Sequence, residues 1–347
     1  MKSSFSNTLR VIAVALIGVA SLAVLSGCAG GLALVAAPKQ ASPASADVAE
    51  VMAITFNSTT NLFYTANGAG NTVSVFDGVT NQLKDTINVG SDPTGIAVNP
   101  VTNTIYVTNS FDASLSIING ATDAVTNTLT TVGDDPYAVV VNPVTNKVYV
   151  ADWVTGDDQN LYVVDGVTNQ VTSSLTVGDD VSALAINTKT NTIYAATMYT
   201  VAVINGSNNT ITATLAPSTP YRVPSGGIGV DESTNTVYVA NTAFGPDTIT
   251  VINGATNQVI TSVDLGTSGG SLSVNPQTHM VYVAGNGYSG LVVFSGTTNT
   301  VVSLISLKYS AEDVTVAPSA NLLYVAESSE VAVVNLATNT TTDIPTQ

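Results

Sequence analysis

The sequence predicts an all-β protein, a seven-bladed β-propeller with four antiparallel strands per blade. Three observations predict it: a unit of about 43 residues repeated seven times, four short apolar segments in each unit, and turn chemistry between them. Repeats of 40–45 residues with four strands each are what a propeller blade requires.

The repeat is anchored on tyrosines. Tyr64, Tyr106, Tyr149, Tyr194, Tyr238, Tyr282 and Tyr324 each close a pattern Asn-x-apolar-Tyr, with His in place of Asn before Tyr282, and the gaps are 42, 43, 45, 44, 44 and 42 residues. A second apolar segment follows each tyrosine and ends in a turn such as Asp77-Gly78-Val79-Thr80-Asn81 or Asn119-Gly120-Ala121-Thr122-Asp123. A third precedes it and ends in Asn-Pro-x-Thr-Asn, as at Asn99-Pro100-Val101-Thr102-Asn103. With the segments of a unit labelled A to D, unit 2 reads A 95–98, B 104–107, C 114–118 and D 125–131. They are rich in Val, Ile, Tyr and Thr, often in alternation, which favours strands. Pro presets φ, Gly accepts positive φ, and Asn or Asp side chains bond back to their own backbone, so the connections read as tight turns. Each unit is therefore an antiparallel meander. One meander cannot bury both faces, whereas seven in a ring can. Counting from Val51–Phe56 to about Thr340–Ile344 gives 28 strands in simple order, so no strand is lent across the closure. The repeat tyrosines are expected to pack between blades.

Tyr106-Val107-Thr108-Asn109 and Tyr238-Val239-Ala240-Asn241 resemble the YVTN-type repeats of bacterial and archaeal surface β-propellers, and the resemblance spans about residues 48–347. It implies an exported chain. The N-terminus reads the same way. Lys2 and Arg10 precede an uncharged apolar stretch, Val11 to Leu25, as in a secretory signal. Leu25-Ser26-Gly27-Cys28 then resembles the lipobox of bacterial lipoproteins, in which the Cys is lipidated and becomes the mature N-terminus. The domain reading is a signal peptide over 1–27, a Pro-, Ala- and Ser-rich tether over 28–47 and the propeller over 48–347. The uncharged run is also long enough for a transmembrane anchor, although Ser26-Gly27 and Ala29-Gly30-Gly31 are poor helix formers. Either reading places the chain outside the cytoplasm, membrane-anchored, in the periplasm or at the cell surface.

Composition restricts the chemistry. Eight basic side chains face 24 acidic ones, giving a net charge of −16, and only 9% of residues are charged. An acidic chain lacks the basic footprint for nucleic acid. One Cys, inside the leader, forms no intrachain disulfide and no propeller nucleophile. The one His, His279, sits in an A–B turn where other units carry Asn, so it reads as a turn residue, not as part of a Ser-His-Asp relay. No loop has regular Asp-x-Asp-x-Asp spacing for Ca²⁺, and no catalytic set, cofactor or metal site is expected.

The A–B and C–D turns, which share one face of a propeller, are nearly uniform here. The D–A and B–C loops, which share the other, are irregular. Variable loops on a rigid scaffold are where binding residues concentrate. The candidates there are Phe111, Asp134, Asp135, Tyr137, Trp153, Asp157, Asp158, Tyr221, Arg222, Phe244 and Tyr288, with Asp112, Tyr199 and the pair Asp179-Asp180 nearby. Exposed aromatics beside carboxylates suit ligand stacking. The expectation is a non-enzymatic, monomeric scaffold, attached to the membrane by its N-terminal lipid and binding an envelope protein or glycan. The alternative, by resemblance to other seven-bladed propellers, is a lactonase-type hydrolase using loop or channel carboxylates with a divalent metal.

Overall fold

The computed structural model describes residues 50–154, 160–216, 226–242, 247–285 and 289–346. The leader, Cys28 and the tether lie outside the described residues. Among the described residues no helix is long and apolar enough to cross a membrane.

The described chain forms 28 strands in seven four-stranded antiparallel sheets, each in simple sequence order. The blades span 51–88, 93–129, 136–175, 183–215, 228–264, 272–306 and 311–345. Blade 2 illustrates all of them: strand A is Pro93–Asn99, B is Thr104–Asn109, C is Ser114–Asn119 and D is Ala124–Leu129. Strands A, B and C extend the expected segments by one or two residues at their ends, strand D starts one residue earlier and stops two residues sooner, and the order is kept. Strands A line the axis and contact each other from blade to blade, including blade 7 with blade 1. Strands B and C are buried on both faces, and strands D are mostly exposed at the rim.

Burial on both faces of B and C explains the continuous apolar runs and gives one small core per interface. Seven clusters result, each drawing on two adjacent blades. The repeat tyrosines are buried in them. Burial pushes the Tyr64, Tyr149, Tyr238 and Tyr324 hydroxyls up to about 12, so they stay neutral at physiological pH.

The turn face has its own repeating device. The residue before each strand B, namely Asn61, Asn103, Asn146, Asn191, Asn235, His279 and Asn321, has φ between 51° and 57°. Asn tolerates this left-handed region better than other non-glycine residues. At the end of strand A, Asn57, Asn99, Asn142 and Asn187 accept backbone N–H bonds from their own turns through Oδ1. Their Nδ2 groups donate to Asn103, Asn146, Asn191 and Asn235 of the next blade at 2.7–2.8 Å. One side chain thus shapes its own turn and ties it to its neighbour.

Closure between blades 7 and 1 works without a shared strand. Phe63 stacks on Tyr324 at 4.1 Å and on Phe76 at 4.6 Å. The Tyr324 hydroxyl donates to the Gly78 carbonyl at 3.2 Å, and Ser74 Oγ donates to the Thr346 carbonyl. Ala317 stands where the other blades carry the bridging Asn or Asp, so aromatic packing takes over that role at the seam.

Candidate functional site: the mouth of the central channel

Strands A converge on a central cavity of about 520 Å³ that opens on the irregular loop face. The volume is within the range of small-molecule sites. Rings of residues from each strand A or the loop just before it form its wall: a uniformly aliphatic one, from Ile54 in blade 1 to Val314 in blade 7, and two nearer the mouth that vary. The deeper of these two is Ala53, Gly95, Ala138, Ala183, Gly227, Ser271 and Asp313: six small residues and one carboxylate. The outer ring is Met52, Thr94, Tyr137, Ser182, Gly226, Gly270 and Glu312. Bulk therefore gathers on blades 1 to 3, open backbone on blades 5 and 6, and charge on blade 7. Gly95 is required by close approach, since a Cβ there would lie 2.5 Å from the Tyr137 carbonyl.

Trp153, in the B–C loop of blade 3, leans over Tyr137 edge to face at 4.9 Å, and both line the mouth. A buried carboxylate holds this pair. Asp152 accepts the backbone N–H groups of Asp134 and Asp135 at 3.1 and 2.6 Å. Gly133 passes at φ 110°, where a Cβ would strike the Asp152 carboxylate at 2.3 Å. The Trp153 N–H donates to the Asp135 carbonyl at 2.8 Å, and Ser110 Oγ donates to the Asp135 carboxylate. Burial raises the Asp152 carboxyl against those N–H bonds, and the Asp134 and Asp135 charges add to the rise.

Asp313 joins three blades. Its carboxylate accepts Ser271 Oγ from blade 6 and the Ile54 N–H from blade 1 at 2.9 Å, besides the Val314 N–H at 2.8 Å. Enclosure by the channel wall raises its carboxyl, and these bonds oppose the rise. Glu312 reaches the mouth itself; partial enclosure and then the Glu50 charge raise its carboxyl.

Of the sequence-predicted residues, the structure brings Tyr137 and Trp153 to the cavity. Asp134 and Asp135 lie beside them and act through their backbone on Asp152, outside the cavity lining. Phe111 is 82% exposed on the B–C loop of blade 2, away from the lining. Asp157, Asp158, Tyr221, Arg222, Phe244 and Tyr288 lie outside the described residues. Met52, Thr94, Glu312 and Asp313 escaped the sequence reading because they sit at strand starts, not in long loops. Aligning the seven strands A would have exposed them, since Asp313 breaks a column of small residues.

His279 is on the opposite face, as its turn position implied. Its Nδ1–H donates to Asp231 Oδ2 at 2.7 Å, in place of the Asn–Asn bond seen at four other interfaces. The two changes complement each other: an aspartate can only accept, so its partner must be a donor. Burial alone would raise the Asp231 carboxyl; bonds from Ser233, His279 and the Ser233 and Thr234 N–H groups outweigh it and hold the carboxyl below its usual range.

The sequence matches the family of YNCE-like β-propellers over residues 17–231, more than half of the chain. The chain belongs to that family. Among solved structures, this YNCE-like β-propeller is similar to Kuenenia stuttgartiensis hydrazine synthase, with a TM-score of 0.72 and 15% identity over 88% of this chain and 98% of that one. At that identity the likeness speaks for the fold alone. No curated protein matches the sequence.

Proposed function

We propose that this YNCE-like β-propeller is an exported, lipid-anchored binding module that takes a glycan at the mouth of its channel and carries out no chemistry on it. The observation that carries the reading is the asymmetric mouth. The Tyr137–Trp153 pair offers an apolar wall on one side, and Glu312 offers a hydroxyl-accepting carboxylate on another. A sugar ring has an apolar face and a polar edge, the two surfaces such a wall engages. The Trp153 backbone is bonded to Asp135, and the loop that leads into Tyr137 is bonded through the Asp134 and Asp135 N–H groups to Asp152, which lowers the entropy lost on binding. The lipobox-like Leu25-Ser26-Gly27-Cys28 supports attachment through Cys28, which would hold the mouth near envelope polysaccharide. The hydrolase alternative has less support: among the described residues, the acidic group able to converge on a metal lies in blade 7, away from the channel lining.

Glycan-array screening of the purified protein, followed by calorimetry with the best oligosaccharide, tests the reading. Trp153→Ala is expected to weaken binding at least about tenfold, equivalent to about 1.4 kcal/mol. Absence of any glycan ligand, with an envelope protein crosslinked at Trp153 instead, would replace the glycan by a protein segment. Palmitate labelling that survives Cys28→Ala would remove the lipid anchor.

A further inference from the structure

Blade 7 departs from the other blades at one more place, outside the channel. Strand B ends in Glu327, strand C opens with Glu330, and strand D carries Asp343. Ala326 pairs with Val331 and Ala332 with Asp343, so the three acids share one face of the blade. A carboxylate oxygen of each lies within 4.8 Å of the others.

The equivalent place in blades 1, 2 and 5 is neutral. There Asn67, Asn109 and Asn241 end strand B and donate to Ser74, Ser116 and Thr250 of strand C at 2.9 Å. Thr86, Thr128 and Ser262 of strand D stand opposite those hydroxyls. In blade 7 the amide has become Glu327, the strand C hydroxyl Ala332, and the strand D hydroxyl Asp343. Glu327 is fully buried. Its Oε1 accepts the Tyr309 N–H at 3.1 Å, while its buried Oε2 has no hydrogen-bond partner among the described residues. An ionised carboxylate left in that condition costs several kcal/mol. Among the described residues Lys308 is the one cation bonded to the group, and it holds Glu330 from the solvent side at 2.9 and 3.1 Å.

We propose that Glu327, Glu330 and Asp343 form a binding site for a hard divalent cation, Ca²⁺ in the first place. The spacing is compatible, because two oxygens on one Ca²⁺ at about 2.4 Å each can be no more than twice that bond length apart, and all three oxygens lie within 4.8 Å of one another. An all-oxygen donor set selects Ca²⁺ or Mg²⁺ over softer metals. Three carboxylates beside one ammonium leave two negative charges, the amount one divalent cation neutralises. The ion gives the buried Glu327 Oε2 its missing partner and ties strands B, C and D of the last blade together. This site departs from the metal-free expectation drawn from the sequence, because its residues are spread over strands B, C and D instead of one acidic loop.

Calorimetric titration of the full chain with CaCl₂, together with thermal unfolding in calcium and in EDTA, tests the site. One calcium per chain and a higher Tm in calcium are expected. Asp343→Asn, on the exposed edge strand, is expected to weaken binding at least about tenfold. Lys308→Met is expected to tighten it by removing a competing cation. Should Asp343→Asn fail to fold, Glu330→Gln gives the same reading. The proposal is overturned if Ca²⁺, Mg²⁺ and Mn²⁺ at millimolar concentration produce neither heat nor a Tm shift. It is equally overturned if Asp343→Asn and Glu327→Gln both leave the calcium response unchanged. A Tm that ignores calcium and rises on acidification would assign the cluster to a shared proton.

Discussion

The two faces of the propeller are made by the same strands and obey different rules. On the turn face, fourteen left-handed positions recur in register, seven before strands B and seven before strands D, and all but Asp123 and His279 are Asn. On the mouth face the left-handed residues are scattered, among them Asn71, Asp92, Ala113 and Asp180, and no two blades carry the same set of wall residues. A short hairpin admits few backbone paths and so few residues. A loop that must span from one blade to the next tolerates many, and variation accumulates there. The turn face fixes the ring, and the mouth face is free to specialise.

Substitutions at both faces can break or sharpen that contrast. The largest effect is expected on the turn face. Asn146→Val forces a β-branched residue into φ 51° and removes the acceptor for Asn99, which together should cost about 2–4 kcal/mol. Asn146→Gly keeps the backbone unstrained and should cost only the hydrogen bond, about 1 kcal/mol. Equal Tm values for the two variants would show that strain is absent. Next is Asp313→Ala, which leaves the buried Ile54 N–H without its side-chain acceptor and should cost about 1–3 kcal/mol by chemical denaturation. If Asp313→Ala is neutral, blades 6, 7 and 1 are held by apolar packing alone.

The pair Asp231–His279 tests whether a repeating position can be re-encoded. Its carboxyl is held below the usual value, so its contribution to stability is present above the ordinary Asp pKa of about 3.9 and is lost as pH falls through the depressed one. The double variant Asp231→Asn/His279→Asn restores the neutral bond. It should match the parent within about 1 kcal/mol at neutral pH and unfold less readily below about pH 4. Identical acid-unfolding curves would refute the linkage. The smallest effect on stability is expected at the mouth: Trp153 is 38% exposed, and Trp153→Ala should cost about 1 kcal/mol from its contact with Tyr137. A much larger loss of Tm would make Trp153 a structural residue.

The candidate site was less legible in the sequence than the fold. Trp153 and Tyr137 stood out as large aromatics in irregular loops, and both reach the mouth. Phe111 stood out equally and does not line it, because nothing in its local sequence says which way its loop turns. Asp152 ends strand B where blades 1, 2 and 5 carry Asn, and nothing in its local sequence sets it apart. Only the returning loop of Gly133 to Asp135 shows that its carboxylate collects backbone N–H groups and sets the aromatic pair.

By itself the sequence determined the seven blades, their strand order and their turns, because each rests on contacts within about 43 residues and is written seven times over. His279 was legible as a turn residue for the same reason. Tertiary structure alone decided which deviations from the repeat come together. Asp313 meets Ser271 and Ile54 across two interfaces, Glu327 meets Asp343 across the blade, and Phe63 meets Tyr324 across 261 residues of chain. Such meetings depend on how the ring closes, and closure is a property of all seven blades that no single repeat encodes.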